Sequence, residues 1–94
     1  MNYKSIEQFY KIGDIVQIVT DDSALIGRID AIIEDSLYLK FFNKEKKEDK
    51  QLIIKYGMGP NGAEGILINV NNIKYIIKLI EVLDEQNNNK NQIK

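Results

Sequence analysis

This chain has no cysteine, no histidine and no tryptophan, and it has only one proline. Without cysteine there is neither a disulfide nor a thiolate zinc site to hold the fold. Without histidine, the commonest metal ligand and the usual general base near neutral pH are both missing. Hydrolytic and metal-dependent chemistry are argued against, so the reading is a protein that is not an enzyme, with no cofactor and no metal. Arg28 stands alone among 13 basic residues. Arginine carries most bidentate phosphate and guanine recognition, so its scarcity weakens a nucleic-acid role. Thirteen basic against fourteen acidic residues leave a formal charge of −1. No global basic field draws the chain to a polyanion. Nor does any run approach the roughly 18 apolar residues of a spanning helix. The opening M-N-Y-K-S-I-E-Q-F-Y lacks the apolar segment of a secretory signal. A soluble, cytoplasmic protein is the expectation.

What is present suffices for one core. The 94 residues are 44% hydrophobic, and a domain of this size buries about 60–65% of the surface its unfolded chain exposes. The stretch from Ile12 to Phe42 reads as successive strands separated by two short acidic turns. Before it, Ser5-Ile6-Glu7-Gln8 has the form of a capping box. Ile6, Phe9 and Tyr10 then share one face of a short helix over about 5–11, too short to persist undocked. The spacing predicts that this helix lies across one mouth of a barrel.

Strands follow over roughly Asp14–Thr20, Ala24–Ile33 and Leu37–Phe41, with turns at Thr20–Ser23 and Glu34–Ser36. Gly27 falls in the middle of the second, where glycine marks a bend or a close backbone approach. Asn43–Lys50 is almost wholly charged and reads as a solvated hairpin tip. A fourth strand is expected over Gln51–Tyr56 and a fifth over Ile66–Val70, with the glycine-rich loop Gly57–Gly65 between them. From Asn71 two readings compete. Ile73, Ile76, Ile77 and Ile80 follow helical spacing behind Asn72, whereas Ile73, Tyr75, Ile77 and Leu79 alternate as a strand. A turn at Asn71–Lys74 and a strand to about Leu83 is favoured, because isoleucine and valine suit a pleated sheet better than an exposed helix. Asp84–Lys94 is polar and asparagine-rich and reads as a disordered tail, leaving residues 1–83 as one domain.

A short helix, then G-D-I-V-Q-I-V-T-D-D-S-A-L-I-G-R-I-D-A-I-I-E-D-S-L-Y-L, then I-L-I-N-V-N-N-I-K-Y-I, resembles the Sm-like barrel within the wider group of SH3-like small barrels. The resemblance covers roughly Ser5 to Leu83. It implies a mainly β fold, a five- or six-stranded small barrel. The Asp-Asn and Arg-Gly pairs with which RNA-binding Sm proteins recognise RNA are not matched. Glu34-Asp35-Ser36 and Asn71-Asn72 stand in their places, which puts the family's RNA pocket in doubt.

Three constellations bear on function. In the first, Tyr38, Tyr56, Tyr75 and Phe42 interleave with Arg28, Lys40, Lys55 and Lys74, the composition of a stacking platform for single-stranded nucleic acid. Aromatic residues also simply favour strands, and that explanation is preferred. In the second, Gly57–Gly62 exposes serial backbone amides as a phosphate cradle would. It lacks the Gly-Lys-Ser/Thr ending of a P-loop, so a hairpin loop is preferred, with Met58, Pro60 and Asn61 as a partner-contact tip. Asp21, Asp22, Asp30, Glu34 and Asp35 are ordinary turn and strand acids. The third is the set of apolar pairs Ile15-Val16, Ile32-Ile33, Ile53-Ile54 and Ile76-Ile77, which put apolar side chains on both faces of their strands. One interior cannot bury both members, so the outward ones need a helix or another subunit. The expectation is a non-enzymatic interaction or assembly module, a homo-oligomer joined at the edges of the fourth and last strands. Single-stranded nucleic-acid binding is the alternative.

Overall fold

The computed structural model describes residues 3–79, so the expected tail over 84–94 and the last strand beyond Leu79 lie outside the described residues. The chain is mainly β: five antiparallel strands form one sheet, with short helices beside it. Helix α1 spans Tyr3–Phe9. It is followed by β1 (Ile15–Thr20), β2 (Ala24–Ile33), β3 (Ser36–Lys40), α2 (Lys50–Tyr56), β4 (Gly65–Asn69) and β5 (Ile73–Lys78). The sheet order is β4-β3-β2-β1-β5. The expected barrel does not close, because β4 and β5 remain as the two edges of an open sheet.

Period-2 alternation sorts the strands into two faces. Val16, Ile18, Ile29, Leu37, Leu39 and Ile68 lie on the inner face and are almost wholly buried. Ile6 of α1 is completely buried against this cluster, with Tyr10 beside it. Helix α1 begins at Tyr3, so Ser5 lies inside the helix rather than at its cap.

The largest departure lies between β3 and β4. Gln51–Tyr56 is not a strand but part of α2, preceded by a 3-10 turn over Lys47–Asp49. Leu52, Ile53 and Tyr56 share one side of the helix and pack with Ile15, Ile26, Phe42 and Leu79 into a second small core on the outer face. Gly57 ends the helix at φ 86°, and its amide donates to the Ile53 carbonyl at 2.7 Å. A glycine at that position relieves the strain that a side chain would feel. Helix α2 thus supplies the cover that the outward member of the Ile15-Val16 pair needs. No second subunit is required there.

The C-terminal alternation is resolved as a strand. A 3-10 turn over Val70–Asn72 leads directly into β5, with the Asn69 side chain accepting from the Asn71 amide at 2.8 Å. In β2, the register against β3 shifts between Ile29 and Ala31, which sets Asp30 apart as a bulge. Gly27 is buried opposite Val16, where the β3 backbone passes close by.

The β2–β3 turn carries a measurable strain. Ile33 pairs with Ser36 across Glu34-Asp35, and Glu34 sits at φ 52°. That left-handed conformation costs a side-chain-bearing residue about 1–2 kcal/mol, less for asparagine. Glu34→Asn is therefore expected to raise stability by about 0.5 kcal/mol. It should be read as a higher urea midpoint at unchanged slope. A lower midpoint would contradict the strain.

Candidate functional site

Outer-face residues of β2 and β3 meet in register. Arg28 pairs with Lys40, and Ala31 with Tyr38. Arg28 is not available as a free cation. Its Nη1 donates to Asp49 Oδ1 at 2.5 Å, and its guanidinium lies 5.5 Å from the Phe42 ring centroid. Asp49 belongs to the stretch read as a solvated tip, yet only 2% of it is exposed. Its second oxygen, Oδ2, accepts from the Asn43 amide at 2.8 Å. Burial pushes the Asp49 carboxyl up, but the Asn43 amide, the Arg28 guanidinium and the Lys46 charge together hold it below its ordinary value. The carboxylate clips the β3–α2 connection to the outer face of the sheet.

The residues considered for a nucleic-acid platform do not form one surface. Lys55 and Tyr56 lie on α2 rather than on a strand, with Lys55 Nζ 5.8 Å from the Tyr56 ring centroid. Tyr56 itself leans on Phe42, with ring centroids 6.5 Å apart. Arg28 and Tyr56 therefore gather round Phe42, the arginine already neutralised by Asp49. Lys74 and Tyr75 lie on β5, which is separated from β3 by two intervening strands. Three strand spacings of ~4.8 Å therefore lie between Tyr38 and Tyr75 along the sheet. Lys74 Nζ is 3.4 Å from Asp21.

The glycine-rich loop has a defined shape. Met58, Pro60 and Asn61 line one wall of a cleft of about 440 Å³, opposite Phe41, Phe42 and Lys44. Gly59 is seated on the Phe41 ring so closely that a Cβ there would come within 2.3 Å of Phe41 Cγ. The Ala63 amide donates to the Pro60 carbonyl at 3.0 Å, and the Phe41 amide to the Glu64 carbonyl at 2.9 Å. A phosphate cradle is not what this arrangement builds, since the loop leads into β4 and not into a helix.

Among the described residues, four large exposed apolar side chains lie on the two edge strands, while Phe9, Ile12, Ile33, Ile54 and Met58 lie elsewhere. On β4, Leu67 is 63% exposed and Ile66 38%. On β5, Tyr75 is 51% exposed and Ile77 42%. The edge expected at Gln51–Tyr56 does not exist, because that segment is α2; the strand expected fifth, now β4, forms that edge instead. Asp49 had no signal of its own, since it sits in a run of alternating charges. No family model, no curated protein and no solved structure matches the chain. Among the described residues, no helix is long and apolar enough to cross a membrane.

Proposed function

We propose that this protein is a non-enzymatic interaction module that associates with copies of itself through the edges of its sheet. The curled sheet, with β4 and β5 joined by one 3-10 turn, supports reading the fold as an opened relative of the SH3-like and Sm-like small barrels. The observation that carries the functional reading is the coincidence of unpaired strand edges with exposed apolar side chains. Unpaired edge amides and carbonyls are a template for another strand, and natural sheets usually blunt them with charge, proline or a bulge. Here β4 is Gly-Ile-Leu-Ile-Asn, without any of these devices. The polar clusters support no chemistry of their own. Arg28 is spent on Asp49, and the acidic turn residues Asp21, Asp22, Glu34 and Asp35 remain exposed at the surface.

Size-exclusion chromatography with light scattering tests this directly. A mass above that of the 10.9 kDa chain, rising with protein concentration, is the expected result. A monomer that persists into the high micromolar range would end the reading.

A further inference from the structure

The two edges are not equivalent, and hydrogen-bond parity shows how. In an antiparallel pair, directly opposed residues alternate between exchanging both backbone bonds and exchanging none. The Phe41 amide bonds the Glu64 carbonyl at 2.9 Å, and the Val70 amide bonds the Asp35 carbonyl at 2.8 Å. With the β3–β4 register, this makes Leu37–Ile68 and Leu39–Ile66 the bonded pairs. Gly65, Leu67 and Asn69 therefore turn their amides and carbonyls toward the open edge. The Asn69 carbonyl is taken by the 3-10 turn over Val70–Asn72, which leaves the Leu67 groups and the Asn69 amide as the open ones nearest the centre of the edge. The β1–β2 turn faces β4 only across a cleft of about 350 Å³.

The same reasoning applied to β5 gives a different result. The Leu79 amide bonds the Ile15 carbonyl at 2.8 Å, so Gln17–Ile77 and Val19–Tyr75 are the bonded pairs. Ile76 and Lys78 then present their backbone groups outward. The Ile76 carbonyl is already occupied, because the Tyr10 hydroxyl donates to it at 3.0 Å. The residue after α1 thus caps the β5 edge at its centre. Lys74 and Lys78 add charge to the same strand, and antiparallel pairing of two β5 edges would bring these like charges together.

We propose that the self-association is a two-fold dimer in which β4 pairs antiparallel with β4 of a second copy, with Leu67 at the symmetry axis. This inference rests on the edge-association reading above and names the edge, the partner and the symmetry. Five residues centred on Leu67 satisfy the requirement of a two-fold contact, in which one patch must complement itself. Leu67 exchanges both backbone bonds with its own counterpart, and the Gly65 carbonyl accepts from the Asn69 amide of the other copy. On the outer face the two Leu67 side chains meet beside Tyr38, and on the inner face Ile66 meets Ile68 of the other copy. No charged residue lies within the paired segment, and the capped β5 edges stop the assembly at two.

Because the chain contains no cysteine, single-cysteine variants give a clean test. Opposed residues of a bonded antiparallel pair have Cα atoms about 5.5 Å apart, within the range a disulfide spans. Leu67→Cys, oxidised with copper phenanthroline, is expected to cross-link into dimers at least tenfold faster than Ile77→Cys on β5 or the exposed α2 variant Ile54→Cys. Urea midpoints near that of the unmodified chain establish that each variant is folded. Faster cross-linking of Ile77→Cys, or equal rates for all three variants with a wild-type oligomer in light scattering, overturns the β4 dimer and leaves edge association standing. A wild-type chain that stays monomeric in light scattering removes both.

Discussion

Asp49→Ala is expected to destabilise the protein by about 3 kcal/mol, at the lower end of the 3–5 kcal/mol typical when one partner of a buried ion pair is removed. The lower end applies because the Arg28 side chain keeps 30% of its surface in water and is not stranded without solvent. Two charge-assisted contacts disappear together. Arg28 loses its acceptor, and the Asn43 amide loses the oxygen that fixes the β3–α2 connection. Local consequences should exceed global ones, because the clip holds α2 over Ile15, Ile26 and Phe42. Hydrogen exchange in α2 should accelerate more than exchange in β1–β3, which have the denser set of neighbours. Uniform acceleration across the sheet would show that Asp49 does not act as a local clip.

The pH dependence follows in sign from the direction of the shift. The folded Asp49 carboxyl lies below its ordinary value of 3.8, so the folded state holds the proton less tightly than the unfolded chain does. Its contribution is complete above that ordinary value and is lost as the pH falls through the folded one. Other carboxylates titrate in the same range, so the informative quantity is a difference. The stability gap between the wild type and Asp49→Asn should be constant above about pH 5 and shrink below about pH 4. A gap that widens with acidification would reverse the assignment.

Gly27→Ala should cost about 3 kcal/mol, the upper part of the usual overpacking range. A Cβ at this position would fall 2.5 Å from the Lys40 carbonyl oxygen and 3.0 Å from Leu39 Cγ. The leucine can rotate. The carbonyl cannot, because Lys40 is in register with Arg28 in the paired strand. Relief would require β2 and β3 to separate at the point where β2 passes from pairing with β1 to pairing with β3. In a domain of this size each kcal/mol shifts the melting temperature by about 4–8 °C, so a fall of roughly 12–24 °C is expected by calorimetry. A change within about 2 °C would mean that the strands tolerate separation there.

Much of the sheet was legible because its signals are local. Turn residues at Thr20–Ser23 and Glu34–Ser36 bound β2 closely, and its observed span is Ala24–Ile33. Leu37 and Leu39 alternate with Tyr38 and Lys40, and the buried and half-buried positions follow that alternation. The segment Lys50–Tyr56 misled for an equally physical reason. In seven residues, Leu-Ile-Ile-Lys-Tyr satisfies both a strand pattern and a helical face, so periodicity does not separate them. Gly57 immediately after Tyr56 was the available clue, since a glycine in that place commonly ends a helix. The platform residues scattered for the same reason. Their spacing assumed Lys55 and Tyr56 on a strand, and they lie on α2 instead.

By itself, the order of residues determined that the segments of β1, β2 and β3 are extended, which side of each is apolar, and that the chain carries neither thiol nor imidazole. These follow from side-chain period and from composition, which need no knowledge of neighbours. Only the tertiary structure decided that Asp49 is buried against Arg28, that α2 covers the outer face, and that Tyr10 caps one edge while the other stays open. Those contacts join residues 21 and 66 positions apart in the chain. A strand shows from its own pattern that it has two sides, but which partner lies along its edge depends on how the whole sheet curls.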